Sequence, residues 1–155
     1  MPLTGNAMTI EDLLDIEKIK TTRHLYSHYY DGGEVDKLAA LFTEDAVCEF
    51  GPNYGGDWVG RDAIHANYRK FIARYGGIFN VMHAVTNPWI TLKEPGRAIG
   101  RWYLLDLRTA VGTENPLILF GIYDDEYKKQ SDEWLIHRTR IQFLWPSRDV
   151  HPFRE

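Results

Sequence analysis

Arg97-Ala-Ile-Gly-Arg-Trp-Tyr-Leu-Leu-Asp-Leu-Arg108 alternates with a period of two, which sets Trp102, Leu104 and Asp106 on one face of a strand. Glu94-Pro95-Gly96 before it and Gln130-Ser131-Asp132 further on are turn chemistry. Around these turns lie Ile78 to Leu92, Leu117 to Tyr127 and Glu133 to Trp145, all rich in β-branched and aromatic residues. Connections this short make neighbouring strands antiparallel, so the second half of the chain predicts a four-stranded meander.

The first half follows helical spacing instead. Thr9, with Glu11 and Asp12 after it, has the composition of a helix start. Leu13, Ile16, Ile19, Arg23, Tyr26 and Tyr30 then recur at intervals of three and four along one helical face. Asp31-Gly32-Gly33 ends this helix, because glycine can adopt the left-handed capping conformation. Val35 to Phe42 predicts a second helix, Ala46 to Phe50 a strand, and Arg61 to Arg74 a third helix closed by Gly76-Gly77. Helices first and a meander second make an α+β fold in one domain over 1–155, with its core at about 10–145. The tail from Pro146 to Glu155 could be a lid, a packing arm or disorder.

Composition bounds the partners. Eighteen basic against 22 acidic side chains give a net charge of -4, with no electrostatic attraction to nucleic acid or an anionic membrane. Met1 to Met8 lacks the pattern of a signal peptide, and no apolar run reaches the length of a membrane span. A single cysteine, Cys48, excludes an internal disulfide and a cysteine-based metal cluster; it is expected as a buried, inert thiol in a cytoplasmic protein. His24, His28, His65, His137 and His151 form no metal-binding spacing, so no metal is expected. Arg138 and Arg140 alternate on a strand as a solvated or subunit-facing surface.

Three polar residues stand out against apolar neighbours. Asp31 sits at a helix C-terminus, where an anion is disfavoured by about 0.3–1 kcal/mol. It either supports the Gly32-Gly33 turn or aims a carboxylate into the interior. His83 shares a face with Val81 and Val85, and Asp106 follows Trp102 and Leu104 on the interior side of the next strand. Two carboxylates and a histidine in one apolar cavity push their pKa values apart, which divides acid from base. Tyr26 falls on the apolar face of the first helix, where its phenol could donate to a substrate oxygen or simply pack. Tyr54, Trp58, Trp102 and Phe120 are the expected cavity walls, with core packing as the alternative for each.

The element order resembles the nuclear transport factor 2-like (cystatin-like) superfamily and, within it, the SnoaL-like proteins. That resemblance implies a cone of three N-terminal helices packed on a strongly curved, mostly antiparallel sheet. Tyr26-Ser-His-Tyr-Tyr-Asp31, Val81-Met-His83 and Gly100-Arg-Trp-Tyr-Leu-Leu-Asp106 further resemble stretches of the bile-acid 7α-dehydratases, cofactor-free enzymes whose active-site positions correspond to Tyr26, Asp31, His83 and Asp106. The implied function is a cofactor-independent lyase, a dehydratase acting by acid–base catalysis on a hydroxylated apolar ring such as a steroid or polyketide-like compound. An isomerase or cyclase like ketosteroid isomerase, another cofactor-free lyase on an aromatic compound, and a non-catalytic ligand-binding or assembly subunit are the alternatives. The exposed face of such a sheet needs covering, so a homodimer or homotrimer is expected.

Overall fold

The computed structural model describes residues 7–74 and 77–155. Residues 1–6 of the N-terminal stretch and Gly76 of the expected helix closure lie outside them. Helix α1 spans Ile10–Asp31, α2 Val35–Ala39 and α3 Arg61–Arg74. The strands are β1 Phe42–Glu49, β2 Trp58–Val59, β3 Val81–Leu92, β4 Arg97–Arg108, β5 Leu117–Gln130 and β6 Glu133–Trp145. They form a six-stranded sheet in the order β2-β1-β6-β5-β4-β3, antiparallel at every pairing except β1 with β6. The α+β class and the four-stranded meander therefore hold.

Three local expectations are corrected. The second helix stops at Ala39 and the first strand begins at Phe42, where Phe42 pairs with Ile136 of β6. The two-residue β2, pairing with Val47 and Cys48, is too short to leave a periodic signal. Leu13, expected on the core face of α1, is 51% exposed; burial along this helix begins in earnest at Ile19.

Thr9 caps α1 as its composition predicts. Its hydroxyl accepts from the Asp12 N–H while the Asp12 carboxylate accepts from the Thr9 N–H. At the other end, Gly33 rather than Gly32 takes the left-handed conformation, at φ 72°. The helices cover one face of the sheet, and the core lies between them: Ile19, Tyr26, Phe42, Ile64, Tyr68, Trp102, Tyr123, Tyr127 and Ile136 are all buried. Register shifts interrupt β3, β4, β5 and β6, and such bulges bend strands.

The tail is a packing arm on the outer face. Asp149 bridges back to Phe143, the His151 N–H donates to Gln142, and Phe153 stacks on Trp89 with ring centroids 4.6 Å apart. Arg154 reaches Glu49 at 3.1 Å and Glu126 at 3.2 Å, and its Nε lies 3.6 Å from the buried Asp124 carboxylate. Arg138 and Arg140 are paired as well, with Glu49 and Asp124 at 2.5 Å each, so they join this ionic network on the outer face, where Arg138 stays partly exposed. Among the described residues, no helix is long and apolar enough to cross a membrane.

Candidate active site

Asp31 does not support the glycine turn after it. Both its carboxylate oxygens turn to His83: one accepts from the ring Nδ1 at 2.6 Å and the other from the backbone N–H at 2.9 Å. A carboxylate only accepts, so Nδ1 donates, and in the neutral ring Nε2 is the nitrogen with the lone pair. The helix end is tied to the sheet nearby, since the Asp31 carbonyl accepts from the Phe79 N–H at 2.7 Å.

Asp106 stands directly opposite His83 in the β3–β4 register. Its Oδ1 lies 3.6 Å from His83 Nε2, beyond hydrogen-bond range, and is buried without a hydrogen-bond partner. Burial pushes the Asp106 carboxyl above the usual carboxylate range; His83 opposes this and Asp31 adds to it. The result is an Asp31–His83 dyad with a fixed tautomer, facing a carboxyl group biased toward its protonated form. The sequence left open which carboxylate partners His83, and the geometry selects Asp31.

These groups open onto a cavity with about 30 Å³ accessible to the centre of a water-sized sphere, walled largely by aromatic rings. Of the expected residues, Tyr26, His83, Asp106, Tyr54 and Trp58 line it, with Asp31 behind His83. The Trp58 indole donates to the Tyr54 carbonyl at 3.2 Å. Trp102 and Phe120 do not line it. Trp102 is fully buried under α1, its indole N–H donating to Tyr127, whereas Phe120 is 39% exposed on the outer face beside Trp145. One position along β5 separates Phe120 from the inward Leu119, and a strand's alternation makes that one position decisive.

Further wall residues come from Tyr30, Tyr68, Phe71 and Tyr123. Tyr30 packs edge-on against the His83 ring at 4.5 Å and holds its orientation. Tyr68 follows Ile64 by four residues on the buried side of α3, and its hydroxyl meets that of Tyr26 at 2.8 Å. That spacing was readable in the sequence; the partnership across 42 residues was not. Burial, and secondarily Tyr68, raises the Tyr26 phenol well above its ordinary pKa, so it stays a donor. Cys48 is buried and its thiol is pushed up by desolvation, as expected of an inert cysteine.

Gly100 of the Gly-Arg-Trp-Tyr stretch has a packing reason. A Cβ there would lie 3.1 Å from the Tyr127 ring, crowding the residue whose hydroxyl accepts from the Trp102 indole N–H and so joins β5 to β4.

Comparison with known proteins agrees with this architecture. A protein provisionally named a scytalone dehydratase from Novosphingobium aromaticivorans is 27% identical, with a TM-score of 0.70 over 91% of this chain and 94% of that one. Another from the same organism, provisionally named an aromatic ring hydroxylase, is 28% identical, with a TM-score of 0.67 over 89% and 92%. A nuclear transport factor 2-like protein with a cystatin-like fold, also from that organism, matches at 19% identity and a TM-score of 0.71 over 92% and 94%. No curated protein matches the chain. The model of the SnoaL-like domain matches residues 11–140, from the first turn of α1 to the arginine pair of β6, and the chain belongs to that family.

Proposed function

We propose that the protein is a cofactor-independent dehydratase acting on a hydroxylated, largely apolar ring compound that carries a carbonyl group. One observation carries this: a histidine whose Nδ1–H is held by Asp31 at 2.6 Å, with a buried, partnerless carboxyl oxygen of Asp106 3.6 Å from its free Nε2. His83 Nε2 takes the proton from carbon next to the carbonyl, and the electron pair moves onto the carbonyl oxygen as an enolate. When the enolate collapses, the carbon–oxygen bond to the hydroxyl breaks and the protonated Asp106 supplies the proton that lets it leave as water. Asp31 acts through His83 by fixing its tautomer, while Tyr26 donates to a substrate oxygen. Positioned acid and base groups contribute roughly 10²–10⁴-fold each.

A cavity this small is walled by rings that must part for any substrate, so the smaller aromatic or polyketide-like rings precede a steroid among the substrates to test. The same crowding of rings is the observation that favours a second reading, a binding or assembly module without turnover. An apolar row across four strands of the outer face, Ala84, Leu105, Phe120 and Trp145, with Tyr103 beside it, supports a homodimer or homotrimer through that face. A cytoplasmic location belongs to the same proposal. The reaction is tested by incubating the protein with ring-fused β-hydroxy ketones and following the absorbance of the conjugated enone. Turnover abolished in His83→Ala supports it; no enone from any member of the series, or turnover indifferent to His83, refutes it.

A further inference from the structure

Arg23 is the least expected side chain in the core. It is fully buried, and its guanidinium packs over the Tyr123 ring at 3.5 Å from the centroid and over the Tyr26 ring at 4.4 Å. Only Nη2 finds hydrogen-bond partners, Asp125 at 3.2 Å and the Thr139 hydroxyl at 3.0 Å; Nε and Nη1 are buried without any. A core that needed only volume would be served better by an apolar residue, because a buried ion pair is often neutral or destabilising compared with well-packed hydrophobic side chains.

The rings it touches are cavity walls. Tyr26, Tyr68 and Tyr123 all line the cavity, and Tyr26 and Tyr68 share a hydroxyl–hydroxyl hydrogen bond. A cation against the face of a phenol draws electron density from the ring, and the O–H becomes a stronger hydrogen-bond donor. We propose that Arg23 is a positioning residue that turns the Tyr26, Tyr68 and Tyr123 wall into a seat for a substrate oxygen on which negative charge develops. Preorganised donors of this kind matter most in a water-poor site, where they need no reorganisation as the charge appears.

Electrostatics agree with the geometry. Burial raises the pKa of all three phenols, so they remain protonated donors, while Arg23 pulls in the opposite direction on each. Burial opposes the charge on Arg23 itself, but Asp125 and the surrounding phenols keep its pKa above the ordinary value. In the dehydratase reading, on which this assignment rests, the seated oxygen is the enolate oxygen formed when His83 takes the proton.

The test uses 4-nitrophenol, whose phenolate absorbs visible light and whose neutral form does not, beside nitrobenzene as a neutral probe of similar shape. At one fixed pH the parent should bind 4-nitrophenol enriched in phenolate. Arg23→Met should weaken phenolate binding about tenfold or more, equivalent to a shift of one pKa unit in the bound probe, and leave nitrobenzene unchanged. Arg23→Lys should recover part of the preference. Should Arg23→Met fail to fold, Tyr68→Phe reads the same seat and should lose the phenolate preference alone. Equal loss of both probes, an unchanged phenolate preference in Arg23→Met or Tyr68→Phe, or a parent with no such preference would each overturn the assignment. A parent that prefers phenolate but dehydrates nothing sinks the reaction and keeps the seat; a dehydratase without the preference sinks the seat alone.

Discussion

Asp31→Asn isolates the contact on which the chemistry turns, because it keeps the side chain's size and removes one acceptor. In the parent, one carboxylate oxygen serves the His83 ring at 2.6 Å and the other its backbone N–H at 2.9 Å. An asparagine has a single acceptor oxygen. The backbone donor cannot change its nature, so the amide oxygen stays there and its NH₂ faces the ring. His83 must then accept at Nδ1 and carry its proton at Nε2, the reverse of the parent tautomer. Exchanging a charge-assisted hydrogen bond for a neutral one costs about 1–2 kcal/mol, a fall in Tm of roughly 2–8 °C for a chain of this size. Turnover should fall far more, by roughly 10²–10⁴-fold, since no lone pair at Nε2 remains to accept a proton. Nitrogen-15 NMR of the imidazole distinguishes the two tautomers directly. The parent should show a protonated Nδ1 and the variant a protonated Nε2. An unchanged tautomer, or a variant that retains full turnover, would refute the dyad.

Further outcomes follow from the neighbouring groups. The Asp106 carboxyl is raised in the folded state, so its contribution to stability is fully present below the unfolded pKa and is lost as pH rises through the folded one. Asp106→Asn should therefore gain stability relative to the parent in melts taken across that rise, while turnover drops roughly 10²–10⁴-fold; a constant stability difference across pH would contradict the raised carboxyl. Arg154→Ala leaves Asp124, Glu49 and Glu126 with less compensation and should lower stability by about 2 kcal/mol, with Tm falling roughly 4–8 °C. A Tm within one degree of the parent's would show that the arm does not brace the sheet. Phe120→Glu places a charge in the outer apolar row and should convert a sedimenting dimer or trimer to monomer; an unchanged sedimentation coefficient would move the interface elsewhere.

The strands were legible because period-two alternation is a local signal, and β4 shows its reach. Trp102, Leu104 and Asp106 lie on the helix-covered face, as the spacing predicts. Asp31, His83 and Asp106 could each be singled out because a carboxylate or imidazole among apolar residues is costly unless paired. What pairs with what could not be read, since Asp31 meets His83 across 52 positions and Tyr26 meets Tyr68 across 42, and no periodicity encodes such a tertiary contact. Phe120 lay within the reach of the local signal: Leu119 and Tyr123 face the cavity, so alternation along β5 sends Phe120 to the outer face beside Trp145.

Arg23 is the opposite case, a residue placed on the correct helical face whose significance stayed hidden. In sequence it occupies a heptad-like core position beside Ile19 and Tyr26, where an arginine would ordinarily extend to solvent. Its burial is possible because β5 presents two consecutive carboxylates to opposite faces of the sheet. Asp125 meets Arg23 beneath the cavity, and Asp124 meets Arg140 and Arg154 under the C-terminal arm. Asp125 pairs with one cation on the inner side and Asp124 with two on the outer side, and the two sides serve different ends, Arg140 and Arg154 bracing the arm and Arg23 backing the tyrosine wall. A single strand thus ties the outer brace to the inner site. A mutation at Asp124 should accordingly reach the cavity only if β5 itself shifts, whereas a mutation at Asp125 should unpair Arg23 directly.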